Sequence, residues 1–358
     1  MITSYHALIN QTFAAVLLAT NSLSISGDTT NRDVVTSMTR PVLVIKNYDY
    51  SDAVGNYCPV ITNSGTYSLN GVSTWGYQVY VTAPGSVRAP CGFAVSSLSN
   101  LMVTNLQSLV NAGKSPAEFS TFDLTHTNFI YNPNFWLKNQ YQITGMIAAE
   151  QPPGMALSSQ ECGAAISPLH VVVCWHAPYS TGYNLFWEGS DGTLVERQVV
   201  AVTTNNLAGT DIEVCLLNSP LPTTVIPLPL LPTNYISWMP ALTNTALVPV
   251  VCGNQQKSIT PKTVNSVTTG DGSYIANQYW FPPAWGVPVT GGDSGCPICM
   301  AVGTNLVLVS HWHYSTGGPW YPNYESQINQ AMHFLSTNNA VGSDYQLSTV
   351  DLSPYPTF

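Results

Sequence analysis

Charge is what this 358-residue chain has least of: Asp, Glu, Lys and Arg make up only 8% of it, with 9 basic residues against 18 acidic ones. Binding to nucleic acid or to an anionic membrane draws on clustered Lys and Arg, and no such cluster is present, so neither is an expected partner. No stretch reaches the roughly 20 apolar residues needed to span a bilayer. The apolar run Phe13 to Leu18 has no basic segment before it and no small-residue cleavage site after it, so it does not read as a signal peptide. Tyr5, Ile9, Phe13, Val16 and Leu17 instead recur at helical spacing behind Ser4 as a cap, which predicts an amphipathic helix. No internal repeat is evident.

The 8 cysteines would permit up to four bridges but are too scattered for a tight disulfide framework: Cys58, Cys91, Cys162, Cys174, Cys215, Cys252, Cys296 and Cys299. Cys296 and Cys299 form a C-x-x-C, yet no second pair and no histidine at zinc spacing accompanies it. Packed thiols or ordinary disulfides explain it better, and no metal or cofactor is expected. A bridge from Cys162 to Cys174 is possible, with doubtful geometry across a strand pair.

What is present in quantity is core and turn material: 45% hydrophobic residues, 26 Gly, 26 Pro and 19 Tyr. With charge so scarce, the surface must be built from Asn, Ser, Thr, Gln and Tyr. That composition is met in extracellular and particle-associated proteins, and an extracellular or virion-associated location is the expectation. A prior of roughly 150 residues per domain suggests two domains.

Residues 1–120 read as a small α+β module: a helix over Tyr5–Thr20, strands over Pro41–Ile45 and Trp75–Thr82, and a helix around Leu98–Val110. No catalytic constellation appears in it, and substrate recruitment, self-assembly and particle attachment are open roles. The polar, breaker-rich stretch Asn111–Glu118 reads as the linker. Beyond it come short β-type runs over Gln142–Ala148, Gly163–Ile166, His170–Cys174, Tyr183–Trp187, Val195–Val202, Ile212–Leu217, Ala246–Val251, Tyr274–Trp280 and Leu306–Ser310. Many short strands at fairly regular intervals predict an all-β barrel or sandwich. Ile328, Ala331, Met332 and Leu335 then share one face of a closing helix, followed by a strand-like tail, Tyr345–Leu352.

The chemical signal is strongest at Gly291-Gly292-Asp293-Ser294-Gly295. A serine hydroxyl is a poor nucleophile until a base takes its proton and fixed donors hold the oxyanion. The glycines let the backbone turn tightly, so that the amides of Gly292 and Ser294 can point at one oxygen. Alone, such a tetrapeptide is equally a surface turn. Upstream, a Gly- and Ala-rich strand from Cys162, a Ser167-Pro168 turn and the strand His170–Cys174 deliver His176 just past a strand end, whereas His170 lies before that strand. Asp211 opens the alternating strand Ile212–Leu217. Among the competing acids Glu188, Asp191, Glu196, Glu213 and Asp271, both Asp191 and Asp271 precede glycine and read as turn residues.

In combination these segments resemble the chymotrypsin/trypsin-like serine peptidase family over roughly residues 140–340. The order His, Asp, Ser is that of chymotrypsin and not that of subtilisins or α/β-hydrolases. The resemblance implies a mostly β, chymotrypsin-like double β-barrel with a C-terminal helix over residues 121–358, preceded by the small α+β N-terminal module. It implies a serine endopeptidase acting on a polypeptide, with Ser294 as nucleophile, His176 as general base, Asp211 as orienting acid, and Gly292 and Ser294 as the oxyanion hole. An esterase using the same triad, or an assembly component that retains a peptidase barrel, remains an alternative. Phe122 to Trp136 and the ending Gln346–Ser353 further resemble trypsin-like proteins encoded in prophage regions.

Departures from the family bear on specificity. Relatives that cut after Lys or Arg carry an Asp six residues before the nucleophile, where this chain has Pro288, so trypsin-like specificity is not expected. Val309-Ser310-His311-Trp312-His313 resembles the strand lining the substrate pocket, with a histidine on either side of Trp312. Because imidazole can hold a carboxylate, His311 or His313 implies a preference for acidic residues. Asp293, which pairs with a new N-terminus in zymogen-activated relatives, is expected to find another partner here.

Overall fold

The computed structural model describes residues 119–353 except 123–131, 138–140, 158–161, 236–247, 256–257, 268–272, 277–286, 303–304, 315–316 and 340–342; before these it describes 108–109, 112–114 and five strands, and the side chains of 141–142, 248–249, 263–267, 273–276 and of the five strands are not included. Those strands are β1 (Ser22–Leu23), β2 (Val42–Asn47), β3 (Val72–Ser73), β4 (Tyr77–Thr82) and β5 (Ala89–Cys91), which form a β1–β3 pair and a β2–β4–β5 sheet, all antiparallel. The expected helix over Tyr5–Thr20 lies outside the described residues, as does all but 108–109 of the one around Leu98–Val110.

The rest is mostly β, in two antiparallel sheets with one C-terminal α-helix. The first sheet runs β6 (Ala149–Gln151), β9 (Asn184–Glu188), β10 (Leu194–Thr203), β11 (Ile212–Leu217), β8 (His170–Cys174) and β7 (Ala164–Ala165). It curls because β10 serves two partners: Leu194–Gln198 pairs with β9, and Val199–Thr203, bulged between Val199 and Ala201, pairs with β11. Met146, just ahead of β6, bridges Ala164 in β7, so the two edges approach each other. The all-buried runs of β8 (HVVVC) and β11 (IEVCLL) fit strands covered on both faces, where β-branched and aliphatic side chains pack best.

The second sheet runs β14 (Ser273–Ala276), β13 (Ile259–Val267), β12 (Val248–Gly253), β15 (Pro297–Val302) and β16 (Asn305–His311). Pro297 is tolerated as the first residue of β15, where a missing N–H costs little. Val251, Cys299, Ala301, Leu306 and Leu308 share one core with Val171, Val173, Val214 and Leu216 of the first sheet. Each large aliphatic side chain so buried contributes roughly 1.5–3 kcal/mol. The helix α1 (Glu325–Asn338) sets Ile328, Ala331, Met332 and Leu335 at i, i+3, i+4 and i+7, all buried, against β10 and β11. His170 anchors it: Nδ1 meets Ser167 Oγ at 2.8 Å and Nε2 meets Ser336 Oγ of α1 at 3.3 Å. Burial pulls that imidazole down to about 4, so it serves as a neutral tie.

Several segments differ from expectation. Gln142–Ala148 does not form a strand; Tyr141–Gly145 makes a 3-10 turn and the strand begins at Ala149. There the apolar alternation reflects burial of Ile143 and Ile147 in the core, not sheet pairing. Strands β1, β3, β5, β13 and β15 are additional to those read from the sequence. The tail Tyr345–Leu352 does not form a continuous strand and joins the molecule at a bridge, through Leu230, which pairs with both Leu308 and Thr349.

Candidate active site

Strands β8 and β11 are neighbours with Cys174 opposite Ile212, so the residues just past one and just before the other meet at the same sheet end. Trp175 donates its amide to the Asp211 carbonyl, and His176 donates its amide to Asp211 Oδ1, each at 2.9 Å. The carboxylate is thus tied to the backbone that carries the imidazole. Asp211 is 7% exposed and takes φ 59°, a left-handed conformation that Asp tolerates better than most residues.

The His176 ring completes the link. Its Nδ1 lies 2.9 and 2.8 Å from the two Asp211 oxygens, and its Nε2 lies 2.7 Å from Ser294 Oγ. Burial alone would raise the Asp211 carboxyl, but hydrogen bonds from His311 and His176 outweigh it and hold it at about 2. An ionised carboxylate only accepts, so the His176 proton sits on Nδ1 and Nε2 is left bare to accept the Ser294 hydroxyl proton.

Ser294 comes from the other sheet, in the turn ahead of β15. Gly292 has φ 98° and Gly295 φ 77°; a Cβ on Gly292 would lie 2.5 Å from Gln255 Oε1, and one on Gly295 2.6 Å from the Cys162 carbonyl oxygen. Asp293, only 2% exposed, accepts the Gln255 amide at 2.9 Å and the Thr290 amide at 2.8 Å. These backbone donors are its partners here. The Gly295 amide donates to the Trp312 carbonyl at 2.9 Å, which fastens the turn to the end of β16. The amides of Gly292 and Ser294 donate to no acceptor among the described residues, as an oxyanion pocket requires.

The residues expected to line a substrate pocket divide into two groups. Pro288 is exposed on the segment leading to the serine turn, and His313 is 29% exposed at its side chain. Ser310 is buried and donates to the Pro319 carbonyl at 2.7 Å, and Trp312 is buried with its indole N–H on the Gly253 carbonyl at 3.2 Å. His311, 1% exposed, faces inward, with Nδ1 hydrogen-bonded to the Tyr321 hydroxyl and Nε2 3.4 Å from Asp211 Oδ2. With both nitrogens engaged, His311 has none for a substrate carboxylate. His313 turns Nδ1 to Asp211 Oδ2 at 3.3 Å and is partly exposed. Gln255, Thr290 and Tyr321 were not singled out in the sequence; nothing in their local pattern marks them, because their partners are distant in the chain.

His176, Asp211 and His313 also bring three metal-ligand atoms within 4.8 Å of one another. Both imidazole Nδ1 atoms already face Asp211, so a metal there would replace N–H protons and undo the link to Ser294. A cavity of about 370 Å³ lies elsewhere, between Phe122, Ile147, Glu188, Asn254 and Pro297, and none of the three residues lines it. The cysteines of the C-x-x-C pack into different cores, Cys296 just ahead of β15 into one and Cys299 within β15 into the other. The Cys162 and Cys174 thiols point at the carbonyls of Asn254 (3.7 Å) and Ala177 (3.6 Å). No family model matches the chain, and no curated protein matches it.

Proposed function

We propose that this protein is a serine endopeptidase of the chymotrypsin type, acting through Ser294, His176 and Asp211. The observation that carries the reading is the unbroken line of contacts from Asp211 through His176 to Ser294, with 2.8 and 2.7 Å at its two links. Three side chains far apart in sequence meet there, in the tautomer that a general base needs. On this reading the curled six-stranded sheet and the five-stranded sheet are the two barrels of residues 121–358, and the serine and the His–Asp pair face each other from their ends.

Substrate chemistry then follows from the groups present. Ser294 Oγ attacks the acyl carbon of a peptide bond as its proton passes to His176 Nε2. The oxyanion is received by the Gly292 and Ser294 amides, each worth on the order of 3 kcal/mol. The C–N bond breaks as His176 returns the proton to the leaving amine, and water repeats the sequence on the acyl-enzyme. No cofactor enters. Residues 1–120 are an accessory module in this scheme, with self-assembly or particle attachment outside the cell as its proposed role.

Digestion of an unbiased peptide library, with products sequenced by mass spectrometry, tests the proposal. Cleavage by the wild type and none by Ser294→Ala is the expected result; no cleavage by either points to an assembly protein that keeps only the barrel.

A further inference from the structure

We infer that His311, backed by Tyr321, is a positioning residue that holds the Asp211 carboxylate for catalysis, and is not part of the substrate pocket. The inference rests on the peptidase reading above and adds a second, buried arm to its triad.

Proton placement along this arm has one solution. Asp211 is ionised and only accepts, so the His311 Nε2 that faces Oδ2 carries a proton. Burial drives the His311 ring below its ordinary value, against the pull of Asp211, so the ring is neutral and its Nδ1 is bare. A bare Nδ1 must accept, which makes the Tyr321 hydroxyl the donor. Tyr321 is itself fully enclosed, and burial pushes its phenol well above the usual range, so it keeps the proton it donates. Donation therefore runs Tyr321 to His311 to Asp211 from inside, and Ser294 to His176 to Asp211 from outside.

The carboxylate needs such an arm. Its Oδ1 takes the His176 amide, but its Oδ2, in a residue 7% exposed and held at φ 59°, has little solvent to share its charge with. The groups facing it are His176, His311 and His313, and of these only His311 is enclosed. His311 ends β16 and Tyr321 opens the turn before α1, so both are fixed by the framework and not by substrate. His313 provides the contrast: it touches the same Oδ2, yet it is partly exposed and stacks on the rings of His176 and Tyr314 instead of sitting in the core.

Rates of fluorophosphonate labelling as a function of pH test the inference without a known substrate. His311→Leu keeps the bulk and removes both nitrogens; Tyr321→Phe removes only the hydroxyl; His311→Gln restores an N–H donor. His311→Leu is expected to slow labelling at least tenfold and to move its acid limb to higher pH, because a carboxylate with one donor fewer holds the His176 imidazolium more tightly; Tyr321→Phe keeps the His311 Nε2 donor but unties the ring that carries it, and is expected to move rate and acid limb in the same direction by a smaller, still measurable amount. His311→Gln should recover most of the rate. Folding is checked by thermal melting, and Tyr321→Phe, the smallest change, carries the test if His311→Leu fails to fold. Folded variants that label at the wild-type rate with an unmoved acid limb overturn the inference while leaving the peptidase reading intact. A wild type that takes no label defeats the peptidase reading, and the role of His311 with it.

Discussion

The ring of His313 lies against that of His176, with centroids 5.0 Å apart and planes 27° apart, and both turn Nδ1 toward the same Asp211 carboxylate. Only His176 reaches Ser294. Two imidazoles thus share one carboxylate, and on the peptidase reading only His176 is placed to move a proton, while His313, 29% exposed at its side chain, is left to meet substrate.

If a preference for acidic residues exists, it therefore depends on His313 and not on His311. Substrates differing only at the residue before the cleaved bond, turned over by wild type and His313→Ala, measure this. The expected result is a loss of at least tenfold for Glu and Asp substrates with little change for Leu or Ala. Equal turnover of acidic and apolar substrates by the wild type removes acidic specificity altogether.

Gly292→Ala places a methyl group 2.5 Å from Gln255 Oε1 at a φ of 98°, which an alanine avoids. The turn must shift and the Gly292 amide with it. Peptide turnover is expected to fall roughly 10²–10³-fold, the cost of one oxyanion donor, while the melting temperature changes by a few degrees. Turnover within threefold of wild type counts against this amide as an oxyanion donor.

Asp211→Asn keeps the shape of the carboxylate but offers an amide that can present N–H where acceptance is needed. The wrong His176 tautomer then forms, and turnover is expected to drop on the order of 10⁴-fold. The same variant has a stability signature. With its carboxyl held at about 2 in the fold, Asp211 stabilises the protein above its unfolded value near 3.8, by on the order of 2 kcal/mol, and that contribution is lost as pH falls from about 4 toward 2. Melting curves between pH 2 and 5 should show the variant losing less stability in acid than the wild type.

Glu213 predicts the opposite slope. Burial raises its carboxyl to about 7, against hydrogen bonds from Cys215 and the Tyr179 backbone. Because the folded value lies above the unfolded 4.5, stability is fully present below 4.5 and is lost as pH climbs through 7, by at most about 3 kcal/mol. In Glu213→Gln this loss disappears, so the gap between variant and wild type in melting temperature should move in the variant's favour from pH 5 to pH 8. A gap independent of pH contradicts the assignment.

Local signals carried much of the architecture. The β-branched run His170–Cys174 and the alternating Ile212–Leu217 occur with the same boundaries in sequence reading and structure, since each is a short apolar run bounded by turn formers. The helix face of Ile328, Ala331, Met332 and Leu335 was legible from its period alone. Strand β13 was not, because Pro261 and Lys262 interrupt any simple pattern, and Lys262 is buried there with its ammonium on the Val287 carbonyl. The meeting of His176, Asp211 and Ser294 could be read from order and setting. The inward turn of His311 could not, since its partner Tyr321 lies on a separate element and only the packed fold brings that hydroxyl to Nδ1.

The most direct test of the central claim is covalent labelling of the full chain with a fluorophosphonate, followed by intact-mass measurement and peptide mapping. One adduct per molecule on Ser294, absent in Ser294→Ala and strongly slowed in His176→Ala, is the predicted result. A folded wild type that takes no adduct, or takes it on another residue, contradicts the account.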